Sequence, residues 1–216
     1  MVGEPSRTLR PSLSIATVRS QVVGIDQQVP LLDGNWRTYI NLDNAASTPA
    51  LQPVADRVNA LMPWYSSVHR GAGYKSRQAT AAYEQARAAA LSFGGRDRAA
   101  RGDVAIICRN TTEAINHLAY RLRLAPTDVV VTTVIEHHAN LLPWARLCDR
   151  RFVECDADGT FDVLAVVDAL EAGPRPRLLS ISGASNVSGW LPPLDAIIDA
   201  AHERGVPVLV DAAQLA

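Results

Sequence analysis

The second half of the chain alternates two kinds of hydrophobic pattern. Short apolar runs rich in β-branched residues predict five strands, at 103–108, 128–134, 151–155, 177–182 and 206–211. Apolar positions at helical spacing predict four intervening helices, at 112–122, 139–148, 161–173 and 193–205. Strands that are apolar throughout and alternate with helices are typical of a parallel sheet covered on both faces. The pattern therefore predicts an α/β fold with a three-layer, mainly parallel sheet.

Two helices carry further boundary signals. For the helix at 161–173 we expect Thr160 as N-cap and Gly173 as the stop. Upstream, a further helix ends at Gly94 and Gly95, and one of its faces is apolar, with Ala79, Tyr83, Ala86, Ala90 and Phe93. The first 35 residues lack such periodicity and are predicted to be partly disordered, so the organised domain is expected to cover 36–216.

Composition excludes several classes of partner. The net charge of −1 gives no electrostatic reason to expect nucleic acid or an anionic membrane surface. No apolar run reaches the roughly 18 residues that a membrane span needs. The three cysteines have no CxxC spacing and the histidines do not form a metal-binding set, so we expect reduced thiols, no metal and a cytoplasmic location.

Compact polar groups follow four of the predicted strands. They are RNTTE after 103–108, IEHHAN after 128–134, GASNVSG after 177–182 and DAAQ after 210. Ligands of open α/β sheets bind beyond the carboxyl ends of the strands. We therefore expect these four groups to form one site.

The first group is typical of a helix start that binds an anion. Asn110 and Glu113 match a capping pattern, which leaves the backbone N–H groups of Thr111 and Thr112 at the positive end of the helix dipole. Such a helix start can hold a phosphate. A plain helix cap without a ligand explains the same residues.

The other three groups also have two interpretations each. Asp211, at the end of an apolar strand, needs a cation, which could be a protonated heterocyclic nitrogen or one of the many arginines. His137 is either a stacking imidazole for a planar ligand or a loop histidine. Asn186 is either a donor to a ligand oxygen or an Asx-turn residue.

The order of these motifs resembles the class V aminotransferase family, in particular its cysteine desulfurase and selenocysteine lyase branch. The resemblance begins at Tyr39 and continues to the end of the chain. It rests on YINLDNAASTP (39–49), SSVHRGAGYKSRQATAAYEQAR (66–87), RNTTEAIN (109–116), IEHHANLLPW (135–144), SNVSG (185–189) and VLVDAAQ (208–214).

The resemblance implies a pyridoxal 5′-phosphate (PLP) site. Thr111 and Thr112 would hold the phosphate, and His137 would stack on the pyridine ring. Asp211 would pair with the ring nitrogen. The 3-oxygen of the ring would be bound by Asn186 and Gln214.

The resemblance also implies parts of the enzyme that this sequence does not contain. Family members carry the Schiff-base lysine some twenty residues beyond the aspartate, whereas the sequence ends at Ala216, five residues after Asp211, and its only lysine is Lys75. We therefore expect a PLP-dependent enzyme acting on an amino acid, as a homodimer or with a complementary C-terminal chain, and inactive as this chain alone. The alternatives are a non-catalytic or split-gene subunit and, less in keeping with the motifs, a nucleotide-binding domain.

Overall fold

The computed structural model describes residues 14–96 and 102–216. The chain divides into two compact units, Met1–Ala105 and Ile106–Ala216. Each unit has its own secondary structure. No helix in the described ranges is both long and apolar enough to cross a membrane.

The first unit is mainly helical with one short hairpin. Its helices and strands are α1 (Ile15–Val18), a 3-10 turn (Arg19–Gln21), β1 (Gln28–Pro30), β2 (Trp36–Thr38), α2 (Gln52–Leu61), a 3-10 turn (Met62–Trp64) and α3 (Tyr74–Phe93). Strands β1 and β2 pair antiparallel. The predicted N-terminal disorder falls in part on residues 1–13, which lie outside the described residues.

Helix α3 confirms the predicted helix before Gly94 but only part of its predicted face. Ala79 is buried, as is Leu91, and Gly94 forms the C-cap. Phe93, which was expected on the apolar face, is 79% exposed. Phe93 at the end of α3 is therefore not part of the buried face that the periodicity predicted.

The second unit is built from four strands and four helices. In chain order these are α4 (Thr111–Arg121), β3 (Val129–Thr133), α5 (His138–Leu147), β4 (Asp149–Val153), α6 (Val163–Glu171), β5 (Leu178–Ser182), α7 (Leu194–Glu203) and β6 (Val208–Asp211). The strands form one sheet in the order β4-β3-β5-β6. All three strand pairings are parallel, which confirms the predicted sheet type.

Two apolar clusters lie on opposite faces of this sheet. Neighbouring residues of β5 belong to different clusters. Leu178 packs with α4 and α5, whereas Leu179 and Ile181 pack with α6 and α7. Successive side chains of a strand point to opposite faces, so the helices cover the sheet in two pairs. The predicted three-layer arrangement is confirmed.

The predicted strand at 103–108 is absent. These residues make no ladder with any described strand, and Ile106 and Ile107 are 78% and 54% exposed. An apolar run becomes a strand only when neighbouring backbone pairs with its N–H and C=O groups. No described residue supplies that pairing here.

The beginnings of β4 and α6 differ from the prediction. Strand β4 begins at Asp149 rather than at 151, since an edge strand tolerates charged residues that the apolar pattern excludes. Helix α6 is capped by Asp162, whose side chain accepts the Ala165 N–H at 2.8 Å, and not by Thr160. Phe161, between them, packs edge-on against Trp190 in the core, which delays the helix start.

This shifted cap predicts a difference between two alanine variants. Asp162→Ala removes the acceptor for a helix N–H and should cost about 1 kcal/mol of unfolding free energy. Thr160→Ala removes only a hydrogen bond to Asp158 and should cost about half of that or less. Urea unfolding followed by circular dichroism measures both, and equal losses would argue against Asp162 as the cap.

Candidate functional site

One cavity of about 220 Å³ opens at the carboxyl edge of the parallel sheet. It collects residues from the start of α4, the start of α5 and the segments after β5 and β6. Its lining consists of Asn110, Thr111, Thr112, His137, Ala139, Ser182, Ala184, Asn186, Asp211, Ala213 and Gln214. The six site residues predicted from sequence therefore lie around a single cavity, although no strand precedes the first of them.

The start of α4 provides backbone donors to this cavity. Asn110 is the N-cap, and its side-chain oxygen accepts the Glu113 N–H at 2.9 Å. The N–H groups of Thr111 and Thr112 have no hydrogen-bond acceptor among the described residues. Together with the two hydroxyl groups and the helix dipole, these donors suit an anionic group.

The Glu113 side chain binds Arg109, the residue that precedes the N-cap Asn110. Its carboxylate accepts the backbone N–H of Arg109 at 2.6 Å and the Arg109 guanidinium at 2.9 Å. The side-chain hydrogen bond from Arg109, followed by its backbone N–H, lowers the pKa of Glu113 to about 2. Arg109 is thereby held beside the α4 N-terminus.

The lowered pKa predicts how acid affects this helix start. A carboxyl group whose pKa falls from 4.5 to about 2 on folding stabilises the fold above pH 4.5 and loses that effect as pH falls through 2. The stability advantage of the parent chain over Glu113→Gln should therefore shrink from pH 5 to pH 2. Unfolding at a series of pH values tests this, and a constant difference would contradict it.

Asp211 ends β6 and is buried, with 6% of its surface exposed. Its Oδ1 accepts the Ala213 N–H at 3.1 Å. No arginine in the described ranges forms an ion pair with it, so the salt-bridge interpretation has no support there. A carboxylate at the wall of a cavity without a protein cation suits a cationic ligand atom.

Gly183 keeps the neighbouring strand end close to Asp211. Its N–H donates to the Asp211 carbonyl at 2.8 Å. A Cβ at position 183 would lie 2.9 Å from a Leu215 methyl group and 3.0 Å from Val210. Only glycine permits this approach of the two chain segments without a shift.

His137 is the N-cap of α5 and is exposed on the cavity wall. Its Nδ1 accepts the Ala139 N–H at 3.1 Å, which favours the imidazole tautomer with the proton on Nε2. Its carbonyl accepts the Asn140 N–H at 2.8 Å. The imidazole and the carbonyl group of His137 are therefore both hydrogen-bonded to the first turn of α5.

The segments after β5 and β6 bring the two amide side chains. The turn at 185–189 is held by Ser185, whose hydroxyl accepts the N–H groups of Val187 and Ser188 at 3.2 Å. Asn186 is exposed on the cavity and does not form the Asx turn that was the alternative. Gln214 lines the same cavity.

A buried polar network next to the cavity was not predicted from the sequence. It centres on the carboxylate of Glu136, which is 6% exposed and accepts hydrogen bonds from Thr133, Asn140 and Ser182. Sequence signals were present, because Glu136 follows an apolar strand and Ser180 and Ser182 alternate within another. Their pairing depends on contacts between residues 40 and 46 positions apart.

The fold and the cavity define a class of protein: a three-layer α/β domain with a cavity at its sheet edge, lined by the α4 N-terminus and by the buried carboxylate of Asp211. The sequence profile of the family described as Aminotransferase class-V matches residues 40–216. The chain belongs to this family.

Individual relatives agree with this assignment. The chain is 34% identical over 209 residues to a probable cysteine desulfurase of Mycolicibacterium paratuberculosis, covering 93% of this chain and 29% of the relative. It is 34% identical over 212 residues to a cysteine desulfurase of Klebsiella pneumoniae, covering 94% and 50%. The apo structure of a cysteine desulfurase from Thermococcus onnurineus NA1 superposes with a TM-score of 0.75 at 25% identity, covering 91% of this chain and 46% of that one. The chain thus spans half or less of the length of these relatives.

Proposed function

We propose that this chain forms the cofactor-binding part of a PLP-dependent enzyme that acts on an amino acid, with cysteine as the substrate. The observation that supports it is the meeting of Thr111, Thr112, His137, Asp211 and Gln214, together with Asn186, around one cavity. The names of the relatives support cysteine as the substrate. When bound, PLP supplies an electron sink for bonds to the amino acid α-carbon.

The groups around the cavity fit the chemical parts of PLP. The unpartnered N–H groups of Thr111 and Thr112 and their hydroxyls suit the phosphate. The imidazole of His137 suits the face of the ring. The buried carboxylate of Asp211 suits a protonated ring nitrogen, which it keeps protonated by charge pairing.

The two amides suit the remaining polar atom of the ring. Asn186 and Gln214 lie on the segments that follow β5 and β6, the two strands whose register pairs Ser182 with Asp211. An amide N–H can donate to the 3-oxygen of the ring, and two donors orient the ring in its plane. The ring would thus be held at its edge as well as at its face.

The second unit contains no lysine, because Lys75 lies in α3 of the first unit. We infer that residues 106–216 bind PLP without a covalent bond.

Addition of PLP to the purified chain tests the proposal. We expect a saturable shift of the visible PLP absorption band, no such shift for a Thr111→Val, Thr112→Val double variant, and no covalent adduct at Lys75 after borohydride reduction and peptide mass mapping. An adduct at Lys75 would overturn the non-covalent inference while supporting a PLP site. Absence of any spectral shift at millimolar PLP in a folded chain would overturn the site itself.

A further inference from the structure

The Glu136 carboxylate is the centre of the buried polar network beside the cavity. Oε1 accepts the Thr133 hydroxyl at 2.7 Å and the Ser182 N–H at 3.0 Å. Oε2 accepts the Asn140 side-chain N–H and the Ser182 hydroxyl, both at 2.7 Å. Every partner donates, so the carboxylate acts as an acceptor only, and no described cation pairs with it.

The network extends one step further into the core. Asn140 and Ser180 are both fully buried, and the Ser180 hydroxyl donates to Asn140 Oδ1 at 2.7 Å. Because Asn140 is in the first turn of α5 and Ser180 is in β5, this bond joins the helix directly to the central part of the sheet. Charge-assisted hydrogen bonds to Glu136 from Asn140 and Ser182 then connect α5 to the end of β5 as well.

Two of the residues held by this network lie on the cavity wall. Ser182 lines the cavity and binds Glu136 through both its N–H and its hydroxyl. His137 follows Glu136 directly, and its carbonyl accepts the N–H of Asn140, whose side chain is fixed by Glu136. The backbone of His137 is therefore anchored on both sides by one carboxylate.

We propose that Glu136 is a positioning residue that fixes His137 and Ser182 at the cavity. The expected effect on PLP binding rests on the proposed function, whereas the positioning itself does not. Glu136 does not line the cavity between α4 and β6 itself. It acts by holding the start of α5 against the end of β5, so that the imidazole of His137 keeps one orientation and one tautomer.

The test compares the full chain with Glu136→Gln. This variant keeps the side-chain shape but replaces one acceptor oxygen by an amide NH₂ group, which cannot accept the hydrogen bonds that the neighbouring groups donate. Glu154→Gln, at an exposed position just after β4, makes the same charge change as a control. The first measurement is the ¹⁵N NMR signal of the His137 imidazole without PLP, assigned by its loss in His137→Gln. The second is the PLP dissociation constant from visible absorption.

We expect a single tautomer of His137 in the parent chain and in Glu154→Gln, and an averaged signal in Glu136→Gln. Loss of one set of buried charge-assisted bonds should also weaken PLP binding by about tenfold or more. A purely structural role would lower the unfolding temperature but leave the His137 signal of the folded chain unchanged. That result, with PLP affinity within about twofold of the parent, would overturn the proposal.

A second variant keeps the test decisive if Glu136→Gln does not fold. Ser182→Ala removes one hydroxyl donor and leaves the carboxylate in place, so averaging of the His137 signal in this variant supports the coupling, and an unchanged signal overturns it. If the parent chain fails to bind PLP, the proposed function fails. The NMR comparison still decides whether Glu136 positions His137.

Discussion

Asp211→Asn should weaken PLP binding by about a hundredfold, which is the largest effect we expect on the cofactor site. Removal of one partner of a desolvated charge pair typically costs about 2–5 kcal/mol. The carboxylate is buried and has no cationic partner among the described residues, so the ligand nitrogen would supply its only close positive charge. Titration of the visible PLP band against the variant measures the loss.

A matched variant separates this effect from a general loss of charge or fold. Asp199→Asn changes the same side chain at an exposed position of α7 and should leave PLP affinity unchanged. Asn at 211 keeps the Oδ1 acceptor for the Ala213 N–H, so the chain should fold normally. Equal affinity of Asp211→Asn and the parent chain would rule out ion pairing with the ring nitrogen.

Trp144→Ala should destabilise the second unit by about 3–5 kcal/mol, the largest expected effect on the fold. Trp144 has no exposed surface and packs with Ile115, Ala119, Val130 and Leu178 between α4, α5 and the sheet. Its removal would leave a large cavity that these neighbours cannot fill. Urea unfolding followed by far-ultraviolet circular dichroism gives the change in unfolding free energy.

Trp144→Phe is the control for this prediction. The indole Nε1 is buried and has no hydrogen-bond partner in the described ranges, so phenylalanine loses packing volume but no polar contact. We expect a loss well below that of alanine. A phenylalanine variant as unstable as the alanine variant would show that the indole N–H is bound after all.

The central sheet was predictable because its strands have distinctive patterns. The run at 128–134 contains four valines and two threonines, and all five residues of β3 are buried. The run at 103–108 is just as apolar but forms no strand, since strand formation also needs a partner backbone. Edge strand β4 starts on three charged residues, and hydrophobic patterning left the first two, Asp149 and Arg150, outside the predicted strand.

The residues around the cavity were predictable because parallel strands bring the segments that follow them to one edge. That rule places Asp211, His137 and Asn186 together without knowledge of any contact. The role of Glu136 was not predicted, because strand order alone does not indicate which side chains contact it. Its side chain points away from the ligand side into a network whose members, such as Ser180 and Asn140, come together only in the folded core.

The Glu136 network also constrains which sequences can replace this one. Thr133, Glu136, Asn140 and Ser180 are buried, Ser182 is half-buried, and each is hydrogen-bonded to another member, so a single apolar substitution leaves a donor or acceptor without a partner. Loss of the glutamate alone would thus be disfavoured, whereas simultaneous replacement by apolar residues of similar volume would carry a smaller cost. Across relatives that share this fold we expect correlated substitution at these positions, namely Thr133, Glu136, Asn140, Ser180 and Ser182.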